Sequence, residues 1–258
     1  MRPPAARLGV MPDHLVAHCL LVERADGLTL VDTGIGAGDI ADPKRLGGAF
    51  VKAVGARLDL AETAVAQVQA LGYRPSDVRD IVLTHLDLDH AGGIGDFPQA
   101  RVHVLGDELA AARARSHPKE KGRYIAAQWA HGPDWVEHTP DGGDGWFGFD
   151  AVHAVGDDVL LVPLRGHTRG HCAVAVRRPS GGWFLHAGDG YFFHGEKERP
   201  STCPSGLRMF QTLVQMDKRA RLANQDRLRE LHAGHSSEVT LFSAHDAREF
   251  DALAAVTD

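Results

Sequence analysis

Short apolar runs punctuated by glycine-rich polar turns dominate the chain, and each run has the length of a strand. The first, His14 to Glu23, alternates into Leu15, Val16, Ala17, Cys19, Leu20, Leu21 and Val22. The turn Ala25-Asp26-Gly27 then leads to Leu28 through Val31, which predicts a β-hairpin. The hairpin ends in Asp32-Thr33-Gly34, where Asp32 reads as a turn former or loop anchor. Gly36, Gly38, Gly47 and Gly48 predict a loop, with a short helix around Ala49 to Leu58. Glu62 to Leu71 places Val65, Val68 and Leu71 at helical spacing, and Gly72 stops that helix. Strands follow at Asp80 to Thr84 and Arg101 to Leu105, then an alanine-rich helix at Asp107 to Arg115.

The second half repeats this plan. Strands are predicted at Asp158 to Leu164, Cys172 to Val176, Trp183 to Ala187 and Val239 to Ser243. Helical patterns fill Leu207 to Met216, Asp226 to Leu231 and Asp246 to Val256, the last with Asp246 near its start. Between the halves, about 116–150 reads as an irregular insertion in a single domain spanning 1–258. It holds Trp129, Trp135, Trp146, Phe147 and Phe149, aromatics that either form a satellite core or roof a pocket.

Composition narrows the class. With 43% hydrophobic and 24% charged residues, the chain can bury the core of one large domain. A formal net charge of −6 provides no electrostatic footprint for a polyanion, so a small-molecule substrate is expected and a nucleic-acid partner is not. Cys19, Cys172 and Cys203 are odd in number and far apart, which predicts free thiols. The first ten residues contain Pro3 and Pro4 and lack the apolar core of a signal peptide. Nor does any stretch approach the ~20 apolar residues of a membrane span, so a cytoplasmic location without membrane contact is expected.

Chemistry concentrates where apolar runs end. Thr84 to Gly93 reads Thr-His-Leu-Asp-Leu-Asp-His-Ala-Gly-Gly and packs His85, Asp87, Asp89 and His90 into six consecutive positions. Three further run ends present His171, Asp189 and His245, each beside Gly or Ala. Imidazole and carboxylate groups converging from several strand ends are suited to divalent metal.

These pieces resemble the metallo-β-lactamase superfamily, whose signature is His-x-His-x-Asp-His followed by later His, Asp and His ligands. The likeness takes in Asp32-Thr33-Gly34, the motif at 85–90, Gly166-His167-Thr168-x-Gly-His171, Gly188-Asp189 and His245. It implies an αββα sandwich of two mixed sheets flanked by helices, with two divalent ions at one edge. By that resemblance His85, Asp87 and His171 hold one ion, Asp89, His90 and His245 hold the other, and Asp189 bridges. His167 is not a ligand in the family pattern and is expected to hydrogen-bond within its loop.

Asp87 departs from the signature, which has histidine there. With that carboxylate, three aspartates and a bridging hydroxide neutralise two divalent ions; with histidine the set keeps one positive charge. The extra anion weakens the first ion as a Lewis acid, and it turns the site from zinc, the first expectation, towards iron or manganese. The resemblance lies nearest the N-acyl homoserine lactonases and related esterases. It implies a hydrolase that opens a lactone or ester with a metal-bridging hydroxide. Asp89 is expected to pass a proton to the leaving group, and Tyr191 to hydrogen-bond the carbonyl oxygen. Three alternatives stay open: an iron-dependent thiol or persulfide oxidoreductase, a phosphodiesterase, and a non-catalytic metal-binding module.

Overall fold

The computed structural model describes residues 9–47, 51, 55–140 and 145–254. Half of the helix expected at Ala49 to Leu58 and the tip of the closing helix lie outside the described residues.

The strands form two five-stranded sheets. In the first, β1 (Leu20–Arg24), β2 (Gly27–Val31), β3 (Val78–Val82), β4 (Arg101–Leu105) and β5 (Asp134–His138) lie side by side in that order. The β1–β2 hairpin is antiparallel and the remaining pairs are parallel. The second sheet runs β10 (Val239–Phe242), β9 (Trp183–His186), β8 (Cys172–Arg177), β7 (Val159–Pro163), β6 (Val152–Val155). Only its β10–β9 pair is parallel.

Side-chain alternation divides each strand between two cores. On β7 and β8, Val159, Leu161, Cys172, Val174 and Val176 meet Val31, Val82 and Leu105 of the first sheet. Leu160, Val162, Ala173 and Ala175 face outward onto Leu228 and Leu231. The latter belong to α6 (Lys218–His235). The first sheet turns Leu30, Ile81, Val102 and Val104 outward, onto Val68 of α2 (Ala64–Ala70) and Leu109 of α3 (Gly106–Ala114). Helix, sheet, sheet, helix is therefore the layer order, the αββα sandwich. The shorter α1 (Ala37–Ala41) and α4 (Pro118–Arg123), with α5 (Ser205–Val214) and α7 (Ala247–Ala254), complete the helices named here. Among the described residues no helix is long and apolar enough to cross a membrane. Cys19, Cys172 and Cys203 are free thiols.

Two segments differ from the sequence pattern. The alternation of His14 to Cys19 does not extend β1; instead Val16 and His18 donate backbone hydrogen bonds to His245 and Ala244. The stretch 116–150 is built into the sandwich, because β5 pairs along β4 and completes the first sheet. Its aromatics are shared between the outer cores: Trp129 and Trp135 pack on the first, Trp146 and Phe149 on the second. Asp-Trp-Val-Glu-His carries only two apolar residues, which an edge strand tolerates and a periodicity reading misses.

One buried carboxylate fastens the loops that leave the sheets. Glu108 accepts hydrogen bonds from Leu86 N at 3.0 Å, Tyr124 Oη at 3.1 Å, Thr168 Oγ1 at 2.7 Å and Gly170 N at 2.9 Å. A Cβ at Gly170 would lie 2.2 Å from Glu108 N, so only glycine lets the 166–171 turn come this close. Glu108→Ala strands four buried donors and is expected to cost about 3–5 kcal/mol. Urea unfolding of the metal-free chain measures this; a loss below about 1 kcal/mol would mean that Glu108 does not hold these loops.

Candidate metal centre

The strand ends deliver their polar groups to one edge. β3 runs into His85 through His90, β7 into the 166–171 turn, β9 into Asp189 and β10 into His245. Three sets of donors lie close enough to share an ion: His85, Asp87 and His167; His85, His90 and Asp189; Asp89, His90 and His245.

Asp32 orients two of these histidines from behind. Its carboxylate accepts from Thr84 N at 2.8 Å, Thr84 Oγ1 at 2.7 Å and His90 Nδ1 at 2.8 Å. Since the Thr84 hydroxyl donates to Asp32, it accepts from His85 Nδ1 at 2.9 Å. His245 Nδ1 donates to Val16 O at 2.7 Å. In all three rings the Nδ1 proton is thus fixed and the Nε2 lone pair is left for the cluster, the tautomer that a ligating histidine needs. Asp32 adopts a left-handed φ of 54°, which aspartate tolerates better than most residues. It is both the anchor read from the sequence and a supporting partner of the cluster.

Asp189 lies at the centre. Its Oδ1 is 3.2 Å from His90 Nε2 and 3.0 Å from His245 Nε2, and its Oδ2 is 3.2 Å from His167 Nε2 and 3.9 Å from His85 Nε2. His90 Nε2 and His245 Nε2 are 3.3 Å apart. Asp89 stands further off, its oxygens 4.0 Å from His90 and 3.8 Å from His245. Tetrahedral zinc bonds of ~2.0–2.2 Å set donors about 3.3–3.6 Å apart, so these separations fit a divalent ion. His85 Nε2 is buried with no hydrogen-bond partner among the described residues, as an unfilled ligand would be.

Asp87 divides its oxygens. Oδ2 faces His85 at 3.6 Å and His167 at 3.0 Å, while Oδ1 faces Arg123 Nε at 3.2 Å. Burial works to raise this carboxyl, but Arg123 and His85 outweigh it and hold it well below the ordinary range. Burial is likewise overcome at Asp189, by His245 and His90. At His90 the surrounding carboxylates overcome burial in the other direction and raise the imidazole well above its ordinary value. An incoming cation therefore finds ionised carboxylates and displaces protons from histidine.

The structure brings together His85, Asp87, Asp89, His90, Asp189 and His245. His171 stands differently: its Nδ1 donates to Leu164 O at 3.0 Å, and its Nε2 accepts from Asp189 N at 2.9 Å. Tyr191 is buried and directs its hydroxyl to Glu249, at 3.0 and 3.1 Å from the two oxygens, which is a supporting contact and not a reach into the cluster. The aromatic beside the centre is Phe192, stacked on His245 at 4.9 Å and 25°. Arg123 and His167 also lie against the carboxylates of the cluster. Arg123 falls in the stretch that reads as an irregular insertion, whereas His167 is visible in its motif.

The sequence matches the metallo-beta-lactamase superfamily over residues 12–234. A probable metallo-hydrolase of Mycobacterium tuberculosis is 45% identical over 235 residues, covering 90% of this chain and 75% of that protein. The N-acyl homoserine lactonase AttM of Rhizobium johnstonii is 32% identical, covering 66% of this chain and 60% of its own length. Among solved structures, an N-acyl homoserine lactone hydrolase with N-hexanoyl-L-homoserine at its metal centre superposes with a TM-score of 0.69. It is 23% identical, covers 92% of this chain and 84% of its own, and so shares the fold.

Asp32→Asn keeps the backbone but places an amide against His90 Nδ1 or Thr84. The substitution is expected to weaken binding of the ion beside His90 by ~10–100-fold, the usual loss for a ligand's supporting partner. Zinc competition against a chromophoric chelator measures it; unchanged affinity would remove Asp32 from this role.

Proposed function

Because the chain belongs to the metallo-β-lactamase superfamily, and is a metallo-hydrolase of that family, we propose that its cluster holds two divalent ions and opens a lactone or ester of a small molecule. The observation that carries this reading is Asp189, whose two oxygens face two separate donor sets. Zinc is the first expectation for both positions, with iron or manganese the alternative at the position of Asp87. When bound, such a pair supplies an activated water and polarises the scissile carbonyl.

The chain's own residues do the rest. Asp89, Asp189, His90 and His245 define the second position. Asp89 has a quarter of its side chain exposed, the most open of the carboxylates around the cluster. Standing at the edge, Asp89 is suited to carry a proton to the leaving alkoxide once the ester C–O bond breaks. Asp32 and Thr84 keep the histidine tautomers fixed meanwhile. Tyr191 acts from behind, holding Glu249, which also accepts from Ser243 N at 2.8 Å and so secures the β10 end that carries His245.

The substrate reading follows from charge and from the neighbouring wall. Three carboxylates, Asp87, Asp89 and Asp189, crowd the centre against the single guanidinium of Arg123, which favours a neutral ester over a phosphodiester. Phe192 packs edge-on to Phe210 of α5 at 5.9 Å, and the same helix exposes Met209 and Leu213. That apolar side suits an acyl chain better than the aromatics of 116–150, which belong to the outer cores. The lactonase AttM supports the choice of an acyl lactone as the first substrate to try.

Elemental analysis of chain purified without added metal is expected to find two equivalents of divalent ion. With the matching ion restored, kcat/KM for a neutral acyl lactone should exceed that for a bis-aryl phosphodiester. Asp89→Asn should lower kcat on the lactone by ~10²–10⁴-fold. Turnover of neither ester, together with oxygen uptake in the presence of a thiol, would replace hydrolysis with the iron oxidoreductase reading.

A further inference from the structure

Arg123 is buried, with 8% of the residue exposed, and its guanidinium nitrogens point to three separate segments. Nε faces Asp87 Oδ1 at 3.2 Å, Nη1 donates to His167 O at 3.0 Å, and Nη2 donates at 2.8 Å to Val214 O, at the last residue of α5. Only the first of these partners is a counter-charge. Asp87 Oδ1 has no well-directed hydrogen bond among the described residues, so Arg123 acts on it through charge. The two carbonyls hold the guanidinium from the far side and keep it in place whatever stands at 87. Neighbouring arginines are engaged elsewhere, Arg165 with Asp107 and Arg169 with Glu120. Asp87 meanwhile turns its other oxygen, Oδ2, to His85 at 3.6 Å and His167 at 3.0 Å. The side of Asp87 that belongs to the donor set and the side that faces Arg123 are thus the two oxygens of one carboxylate.

We propose that Arg123 is a positioning residue that makes a carboxylate obligatory at position 87, because the guanidinium and the divalent ion are both balanced by that one anion. This rests on the two-ion reading above and concerns one of its ligands.

Two cations in a buried site repel strongly unless an anion lies between them. Asp87 carries the charge that attracts both. A neutral amide at 87 leaves a fixed, buried guanidinium against the incoming ion, and the cost appears as lost metal affinity. Removing the guanidinium instead gives the ion the whole charge of Asp87. Metal affinity then holds or rises, while the metal-free chain is left with an uncompensated buried carboxylate and loses stability. A residue that only braced the loops would behave otherwise, since its loss would weaken metal binding with either residue at 87.

Four full-length chains separate the two cases: the parent, Arg123→Met, Asp87→Asn and the double variant. In zinc competition against a chromophoric chelator, Asp87→Asn should weaken one zinc by more than about 100-fold, and adding Arg123→Met should restore about tenfold or more of that loss. Arg123→Met alone should bind zinc at least as tightly as the parent. In urea unfolding of the metal-free chains, Arg123→Met should raise the unfolding equilibrium constant by roughly 10²–10³-fold, and Asp87→Asn in the same chain should return about tenfold or more of it. An Arg123→Met chain whose zinc is weakened by more than about tenfold overturns the proposal, as does a double variant that binds no better than Asp87→Asn, or zinc binding indifferent to Asp87→Asn. Circular dichroism of the metal-free chains checks that they fold; where Arg123→Met does not, Arg123→Gln, neutral but able to hydrogen-bond a carbonyl, takes its place. A parent chain that holds a single zinc fails the two-ion reading, and the same comparison on that zinc still decides the role of Arg123. No readout uses a substrate, so inactivity on lactones leaves the outcome unchanged.

Discussion

A buried carboxylate has no water to solvate it and must be given its counter-charge by the fold. Here Asp32, Asp87 and Asp189 are all buried at one edge of the sandwich, with Asp89 beside them. The arrangement follows from that electrostatic demand. Asp32 is met by His90 and the Thr84 donors, Asp87 by Arg123, and Asp189 by the histidines around it. Arg123 brings the one permanent positive charge named in the cluster and meets a single oxygen. The rest of the compensation comes from imidazoles that can lose protons, which is why the same edge is suited to cations.

Such a cluster needs a rigid support, since displacements well under an ångström spoil a ligand set. The sandwich provides it by ending strands of both sheets at one place, so the ligand loops are short extensions of hydrogen-bonded backbone. Cross-links between the extensions finish the frame. Thr33 N donates to His90 O at 2.8 Å, Cys172 N to Thr84 O at 2.9 Å, and Ala244 N to Gly188 O at 3.1 Å. Gly188 permits this closeness: with a φ of 52°, a Cβ there would lie 2.7 Å from His171 Nε2 and 2.8 Å from Thr84 Cβ. Glu108 adds the link between the 85–90 loop and the 166–171 turn, from a helix outside both.

The strands of the inter-sheet core were legible because burial on both faces leaves continuous apolar runs, as in Val159 to Val162 and Cys172 to Val176. The stretches that converge at the cluster were legible for a related reason: His85 to His90, Asp189 and His245 come soon after such runs, and each stretch has glycine or alanine beside it. What stayed hidden depends on partners distant in sequence. β5 shows weak alternation because only one of its edges is paired. Arg123 sits in Pro-Lys-Glu-Lys-Gly-Arg, where nothing local separates a buried guanidinium from a solvated one. Tyr191 lies two residues past Asp189, yet its ring turns to Glu249, a choice set by α7 and invisible in the motif. His167 was in plain view, but no spacing rule says which of two histidines in one turn faces inward.

The aspartate at 87 places its own demand on the structure around it. Histidine at 87 would supply a long neutral donor and demand no counter-charge. Aspartate supplies a short anionic one. The negative charge needs a cation, which Arg123 brings from the helix ahead of β5. The guanidinium that faces Asp87 also donates to the His167 carbonyl, so it ties the 85–90 loop to the 166–171 turn. Replacing Asp87 with histidine alone would therefore not restore the commoner signature. It would leave Arg123 without its carboxylate, in a pocket where an uncompensated charge is costly.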